Sequence, residues 1–188
     1  MISRREYLQF VAGAGVASIW RSRAYAAVYL DIGEAQKLLL PQAASFVPLP
    51  LGLDEAALAE IAAVTQTRIP RGYSPRCWTG MAGVRPLGWV LADRVVGKYE
   101  LIDYAAGFSA DGATLGVEIL AYRESHGSEI RGASWRRQFL GRKGPSELRF
   151  GDDIRNISGA TLSCEHVTQG VQRLSAIVQR LVAAGSRG

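Results

Sequence analysis

GWVLADRVVGKYELIDYAAGFSADGATLGVEILAY, residues 88–122, decides the fold. Three runs rich in β-branched and aromatic residues, Gly88 to Val96, Glu100 to Phe108 and Thr114 to Tyr122, predict three strands. In the third run Leu115, Val117, Ile119 and Ala121 alternate with Gly116, Glu118, Leu120 and Tyr122, the period-two pattern of a strand whose faces differ. Asp111-Gly112 supplies a tight hairpin turn between the second and third strands. Strands joined so closely pair antiparallel, because a parallel pair needs a long crossover.

Helical signals lie on both sides of these strands. Val167, Val171, Leu174, Val178 and Leu181 fall at spacings of four, three, four and three, one apolar stripe that starts close to Ser163 and ends at Gly185. Upstream, Asp31 and Glu34 have the spacing of a capping box, and the stripe Ala35, Leu38 and Leu39 is ended by Pro41. A second helix opens at Asp54, turns Leu58, Ile61 and Ala62 inward and closes near Thr65. Trp135 to Leu140 reads as one further helical piece. Between them, Ile69 to Leu87 holds Pro70, Pro75, Pro86, Gly72, Gly80 and Gly83, which predicts a surface excursion pinned by Tyr73 and Trp78. The fold class that follows is α+β, a twisted antiparallel sheet flanked by helices.

A chain of 188 residues suffices for one hydrophobic core and is too short for two full-sized enzyme domains. Only 2 cysteines exclude a disulfide scaffold; Cys77 and Cys164 could pair or lie separately buried, and neither sits in a Cys-x-x-Cys pattern, so no metal is expected. The net charge of +5 is uneven: Arg4, Arg5, Arg21 and Arg23 oppose only Glu6 in residues 1–26, and the rest of the chain is nearly balanced. That near-balance argues against a nucleic-acid partner. The basic stretch Arg131, Arg136, Arg137, Arg142, Lys143 and Arg149 reads as a solvated face, with a docking surface for an acidic redox partner or a nucleotide as the alternative.

Residues 1–26 read as an address. Ser3-Arg4-Arg5-Glu6-Tyr7-Leu8-Gln9 resembles a twin-arginine export signal. The apolar stretch Phe10 to Trp20 has 11 residues, whereas a bilayer-spanning helix needs about 20. Ala24-Tyr25-Ala26 offers the small residues that a signal peptidase reads, so cleavage is expected after Ala26. The expectation is an exported, periplasmic protein, tethered to the membrane if the signal stays uncleaved.

Ser158-Gly159-Ala160-Thr161 lies directly before the C-terminal helix, where free backbone N–H groups and the positive end of the helix dipole favour a phosphate. The turn reads as an anion seat with a hydroxyl on it. Nearby Ser163, His166 and Asp152 or Asp153 do not read as a hydrolase triad, since no Gly-x-Ser-x-Gly elbow carries the serine.

Ser158-Gly159-Ala160-Thr161, with Asp152 and Asp153 upstream, resembles the flavinylation motif of the FMN-binding domain family, seen in the sodium-translocating NADH:quinone reductase and in the Rnf electron-transport complex. Glu124-Ser125-His126-Gly127, followed by Trp135 and Phe139, looks like that family's acidic, Thr-Pro-Gly and Trp-x-x-x-Phe stretch. The Glu34 to Pro41 segment, Glu-Ala-Gln-Lys-Leu-Leu-Leu-Pro, resembles exported single-domain members, and the likeness covers most of residues 30 to 183. It implies a domain over 27–188 that carries FMN esterified through its phosphate to Thr161 by a separate flavin transferase using FAD. Ser158, Gly159 and Ala160 would shape that seat, and Glu124, Ser125, His126 and Gly127 would meet the flavin ring. Ser125 and His126 stand where many relatives have Thr and Pro, and Cys164 where a hydroxyl residue is more usual.

The function implied is electron carriage between a membrane-side donor and an acceptor, with a redox partner protein, rather than stand-alone catalysis. A non-covalent flavin- or ligand-binding module and a non-redox exported interaction protein are the alternatives.

Overall fold

The computed structural model describes residues 27–186, and the expected signal at residues 1–26 lies outside them. Its sheet has six strands: β1 (Ala27–Val28), β2 (Ser45–Pro48), β3 (Arg76–Ala82), β4 (Arg85–Val96), β5 (Leu101–Ser109) and β6 (Thr114–Tyr122). They pair antiparallel throughout in the order β1-β6-β5-β4-β3-β2. The helices are α1 (Ile32–Leu39), α2 (Glu55–Thr65), the short α3 (Ala133–Arg136) and α4 (Thr161–Gly185). This is the α+β architecture expected, with three strands more than the three read from residues 88–122.

Both helix starts foreseen near the N-terminus form as their side chains require. Asp31 Oδ1 accepts from Glu34 N (2.8 Å) while Glu34 Oε2 accepts from Asp31 N (2.9 Å), a complete capping box at α1. Asp54 Oδ1 accepts from Ala57 N (2.8 Å) at the start of α2. Inside α2 the fully covered side chain is Ile61, and on α1 Ala35 and Leu39 turn inward while Leu38 stays exposed.

Each face of the sheet has its own core. Alternate residues of β4 serve the two: Leu91 and Val95 pack toward α4 with Tyr104, Phe108, Val117, Val167, Val171 and Leu174, while Val90 and Ala92 pack toward α1 with Ala105 and Leu120. The helical stripe of the C-terminus is thus the inner face of α4, and Val167, Val171, Leu174 and Val178 are wholly buried.

Three expectations are corrected. The stretch Ile69 to Leu87 is not all excursion, because β3 and the start of β4 lie within it. Its prolines fall where a strand tolerates them: Pro70 and Pro75 precede β3, and Pro86 sits beside the register shift between Gly80 and Met81. Trp135 to Leu140 is not one helix: α3 ends at Arg136 and a 3-10 turn continues over Arg137–Phe139. The two-face alternation of β6 also fails near its end. Ile119 pairs with Tyr104 and Ala121 with Asp103, so Leu120 is an extra residue, a bulge. Beyond it the phase flips, and Tyr122 joins Val117 and Ile119 on the α4 side instead of lying with Glu118 and Leu120.

Candidate functional site

The chain enters α4 through a turn, Ile157 to Ala160, closed by Ala160 N donating to Ile157 O at 3.0 Å. Gly159 supplies the left-handed backbone that this turn needs, at φ 85°. Thr161 is the first residue of α4, two positions before the expected start near Ser163, so the hydroxyl rides on the helix itself. No side chain caps this end. Cys164 N is the first helical donor with a backbone partner, Ala160 O at 2.9 Å; the N–H groups of Thr161, Leu162 and Ser163 have none among the described residues. Three free donors at the positive end of a 25-residue helix are what a phosphate group needs.

The Thr161 side chain is exposed. Its Oγ1 accepts from Asn156 Nδ2 at 3.1 Å, which leaves its own O–H free. Ser158 and Gly159 are also exposed, and only Ala160 is buried. Upstream, the chain is held by the aromatic pair that the sequence singled out. Trp135 Nε1 donates to Arg155 O at 2.8 Å, and the Trp135 and Phe139 rings meet edge to face, centroids 5.1 Å apart. Gln138 completes the clamp on Arg155, accepting from its N at 2.9 Å. Asp152 and Asp153 lie in a turn further back and face arginines: Asp153 Oδ2 meets Arg149 Nε at 3.0 Å, and Asp152 is 3.9 Å from the same nitrogen. The Arg149 hydrogen bond holds the Asp153 carboxyl below its usual range against mild desolvation.

The fold brings the second motif to the first. Gly127 is buried against Ala160, so closely that a Cβ at residue 127 would stand 3.1 Å from the Ala160 Cβ and 2.6 Å from the Tyr122 hydroxyl. Only glycine fits there, and its φ of 88° favours glycine as well. Tyr122, turned inward by the β6 bulge, ties the two segments: its hydroxyl donates to His126 O at 2.5 Å and lies 3.1 Å from Ser163 Oγ. Ser125 and His126 are exposed on the rim of this junction, their side chains bonded to each other at 2.9 Å.

Glu124, expected at the flavin ring, also serves the neighbouring turn. Its Oε1 accepts from Tyr99 N at 2.6 Å and Glu100 N at 2.9 Å, closing the β4–β5 turn. Desolvation pushes the carboxyl up, but those N–H groups, that of Lys98 and the Lys98 charge outweigh it and hold Glu124 below its usual range. One carboxylate oxygen is therefore committed to structure. Tyr122 and Asn156 are the residues that sequence reasoning missed. A period-two reading places Tyr122 on the wrong face, and Asn156 carries no signal of its own.

The basic stretch is not simply a solvated face. Arg136 donates from Nη1 to Val117 O (2.8 Å) and pairs with Glu118, Arg142 reaches Asp153 (3.5 Å), Lys143 reaches Asp111 (3.1 Å), and the Arg131 guanidinium lies 3.4 Å over the Tyr29 ring. Arg131, Arg137, Lys143 and Arg149 are nonetheless exposed as expected, and Arg137 has no side-chain partner among the described residues. Cys77 and Cys164 are separate, buried free thiols. Ser163 and His166 form no triad: the serine bonds Tyr122, and His166 Nδ1 reaches Val96 O at 2.7 Å. Among the described residues no cluster of His, Cys, Asp and Glu could hold a metal ion, and no helix is long and apolar enough to cross a membrane.

The structure is thus an α+β domain, an antiparallel sheet backed by a long helix whose first turn carries unpartnered N–H groups and an exposed hydroxyl. Residues 97–176 match the FMN-binding domain. The protein is a flavin-binding protein and FMN is its cofactor. The match begins at the β4–β5 turn and takes in both motifs, while α1, α2 and β1 to β4 lie before it. No curated protein matches the chain.

Proposed function

We propose that the protein is an exported electron carrier holding FMN covalently, by a phosphoester to Thr161. The observation that carries this reading is the exposed Thr161 hydroxyl on the first turn of α4, beside three backbone N–H groups without partners. An external flavin transferase must reach its acceptor, and an open hydroxyl permits that. Transfer from FAD would join Thr161 Oγ1 to the FMN phosphorus, release AMP and lose the hydroxyl proton. The resulting diester keeps one negative charge, which the helix end is placed to solvate.

The remaining contacts support a ring held at the Glu124–Gly127 loop. Gly127 lets that loop lie against Ala160, and exposed Ser125 and His126 offer polar atoms beside the seat. When bound, FMN supplies the electron chemistry; the polypeptide positions it and tunes it. A covalent tether keeps the cofactor at high effective concentration outside the cytoplasm, where released flavin would be diluted away. The partners of this reading are a flavin transferase using FAD and a redox partner protein, membrane-bound on the donor side. The export half rests on the twin-arginine-like Ser3 to Gln9 and on Ala24-Tyr25-Ala26.

A denaturing gel of protein produced with a flavin transferase tests the attachment. Flavin fluorescence should stay in the wild-type band and vanish in Thr161→Ala. Fluorescence that leaves the wild type on denaturation would establish the non-covalent module instead.

A further inference from the structure

None of Glu124–Gly127 or Ser158–Thr161 lines a cleft of about 1090 Å³, although Arg123 and His166 beside them do. It exists because β3 is shorter than β4. Their pairing ends at Arg76 and Ala92, which leaves Asp93 to Val96 joined to β5 alone and exposes a free strand edge. The segment from Arg68 to Arg76 forms one wall around that edge, and α4 contributes Gln169 and Arg173 to the other.

The lining is strongly cationic. It includes Arg68, Arg71, Arg76, Arg94, Arg123 and Arg173 against only Asp93 and Asp103. Asp103 is already taken by Arg94 (3.2 Å) and Arg123 (2.7 Å). Asp93 is occupied by the Tyr104 hydroxyl at 3.0 Å, and burial pushes its carboxyl above the usual range, which weakens it as a counter-charge.

Arg173 is the unusual member. It is 3% exposed, its Nε is buried without a hydrogen-bond partner, and no ion pair among the described residues includes it. The Tyr73 ring lies 5.5 Å from its guanidinium, and the Tyr73 hydroxyl is likewise buried and unpartnered. The Asp93 carboxylate and the Tyr73 oxygen both act on the Arg173 charge, and an acceptor for its buried Nε would relieve the cost that remains. Arg68, Arg71 and Arg76 are exposed members of the same lining, and its apolar members include Val95 on the α4 side and Leu30 and Val96 beyond the strand.

We infer that this cleft is a second ligand site, which takes a small organic dianion: one carboxylate bound deep by Arg173 and Tyr73, a short apolar body, and a second carboxylate met by the exposed arginines. A planar carboxylate matches the guanidinium fork, and the cleft has the size of a small-molecule site. None of the residues assigned to the flavin seat lines this cleft, so the inference does not depend on where FMN is attached.

Calorimetric titration of the full chain with succinate and glutarate tests it, with butyrate as the single-charge probe. Saturable binding is expected in both flavin-free and flavin-loaded protein, about tenfold or more tighter for the dianions than for butyrate. Arg173→Gln should weaken dianion binding about tenfold or more. Arg71→Ala, an exposed position that folding does not need, should weaken the dianions and leave butyrate unchanged; it decides the matter if Arg173→Gln fails to fold. Absence of saturation at millimolar dianion, equal affinity for butyrate and succinate, or loss of binding on flavin loading would overturn the inference.

Discussion

Gly127→Ala should separate a packing constraint from a purely conformational one, with Gly159→Ala as its partner. Both glycines have left-handed backbone, at φ 88° and 85°, so both substitutions carry the same strain, about 1–2 kcal/mol. They differ in what the new methyl meets. At residue 159 nothing lies within 4 Å, whereas at residue 127 the Cβ would stand 2.6 Å from the Tyr122 hydroxyl and 3.1 Å from the Ala160 Cβ. Forcing a methyl into a packed junction adds about 1–3 kcal/mol. Gly127→Ala should therefore be the more destabilising of the two by that difference, or roughly 3–10 °C in Tm for a domain of this size. Urea and thermal unfolding of the flavin-free chain measure it. Tyr122→Phe removes the hydroxyl that clashes, at the loss of its bonds to His126 O and Ser163, so the double variant should be more stable than the two single costs added together. Equal destabilisation by Gly127→Ala and Gly159→Ala, or strict additivity with Tyr122→Phe, would refute the packing of this loop against the α4 entrance.

The buried thiols give a pH dependence. Burial pushes Cys77 from 9.0 to about 12, and Cys164 moves the same way. A raised thiol favours folding below its unfolded pKa, so stability should fall as pH climbs from about 9 toward 12, with a shallower slope in Cys77→Ser; chemical denaturation across that range measures it. Arg136→Ala should cost about 1–2 kcal/mol in urea unfolding, because it strips a donor from Val117 O and a partner from Glu118, while exposed Arg137→Ala should stay within about 0.5 kcal/mol. Glu124→Gln should speed hydrogen exchange at the Tyr99 and Glu100 amides and leave covalent flavin loading in place, since that carboxylate serves the turn.

What can be read from the chain depends on whether the signal is local. The β5–β6 hairpin, both N-terminal caps and the α4 stripe are short-range patterns, and each takes the form its residues demand. Strand β3 is hidden because its neighbours Pro70, Pro75 and Pro86 are turn formers, and nothing local reveals that Gly80 must lie beneath Leu40 of the α1 side. A single inserted residue moves Tyr122 to the other face, a register property of the β5–β6 pair that no alternation pattern contains. At the site, Thr161 and Gly127 are legible as motifs, but their meeting through Ala160 is a long-range packing fact. The motif assigns Glu124 to the ring, but nothing local reveals that the backbone N–H groups of a distant turn also hold its Oε1.

The central claim is a bond to one hydroxyl, and peptide-level mass spectrometry reads it directly. Trypsin should release Asn156–Arg173 from protein produced with a flavin transferase as one peptide bearing an FMN ester, with fragmentation placing the mass on Thr161 rather than Ser158 or Ser163. An unmodified Asn156–Arg173 peptide from loaded protein, or an FMN ester on any other residue, would contradict the account.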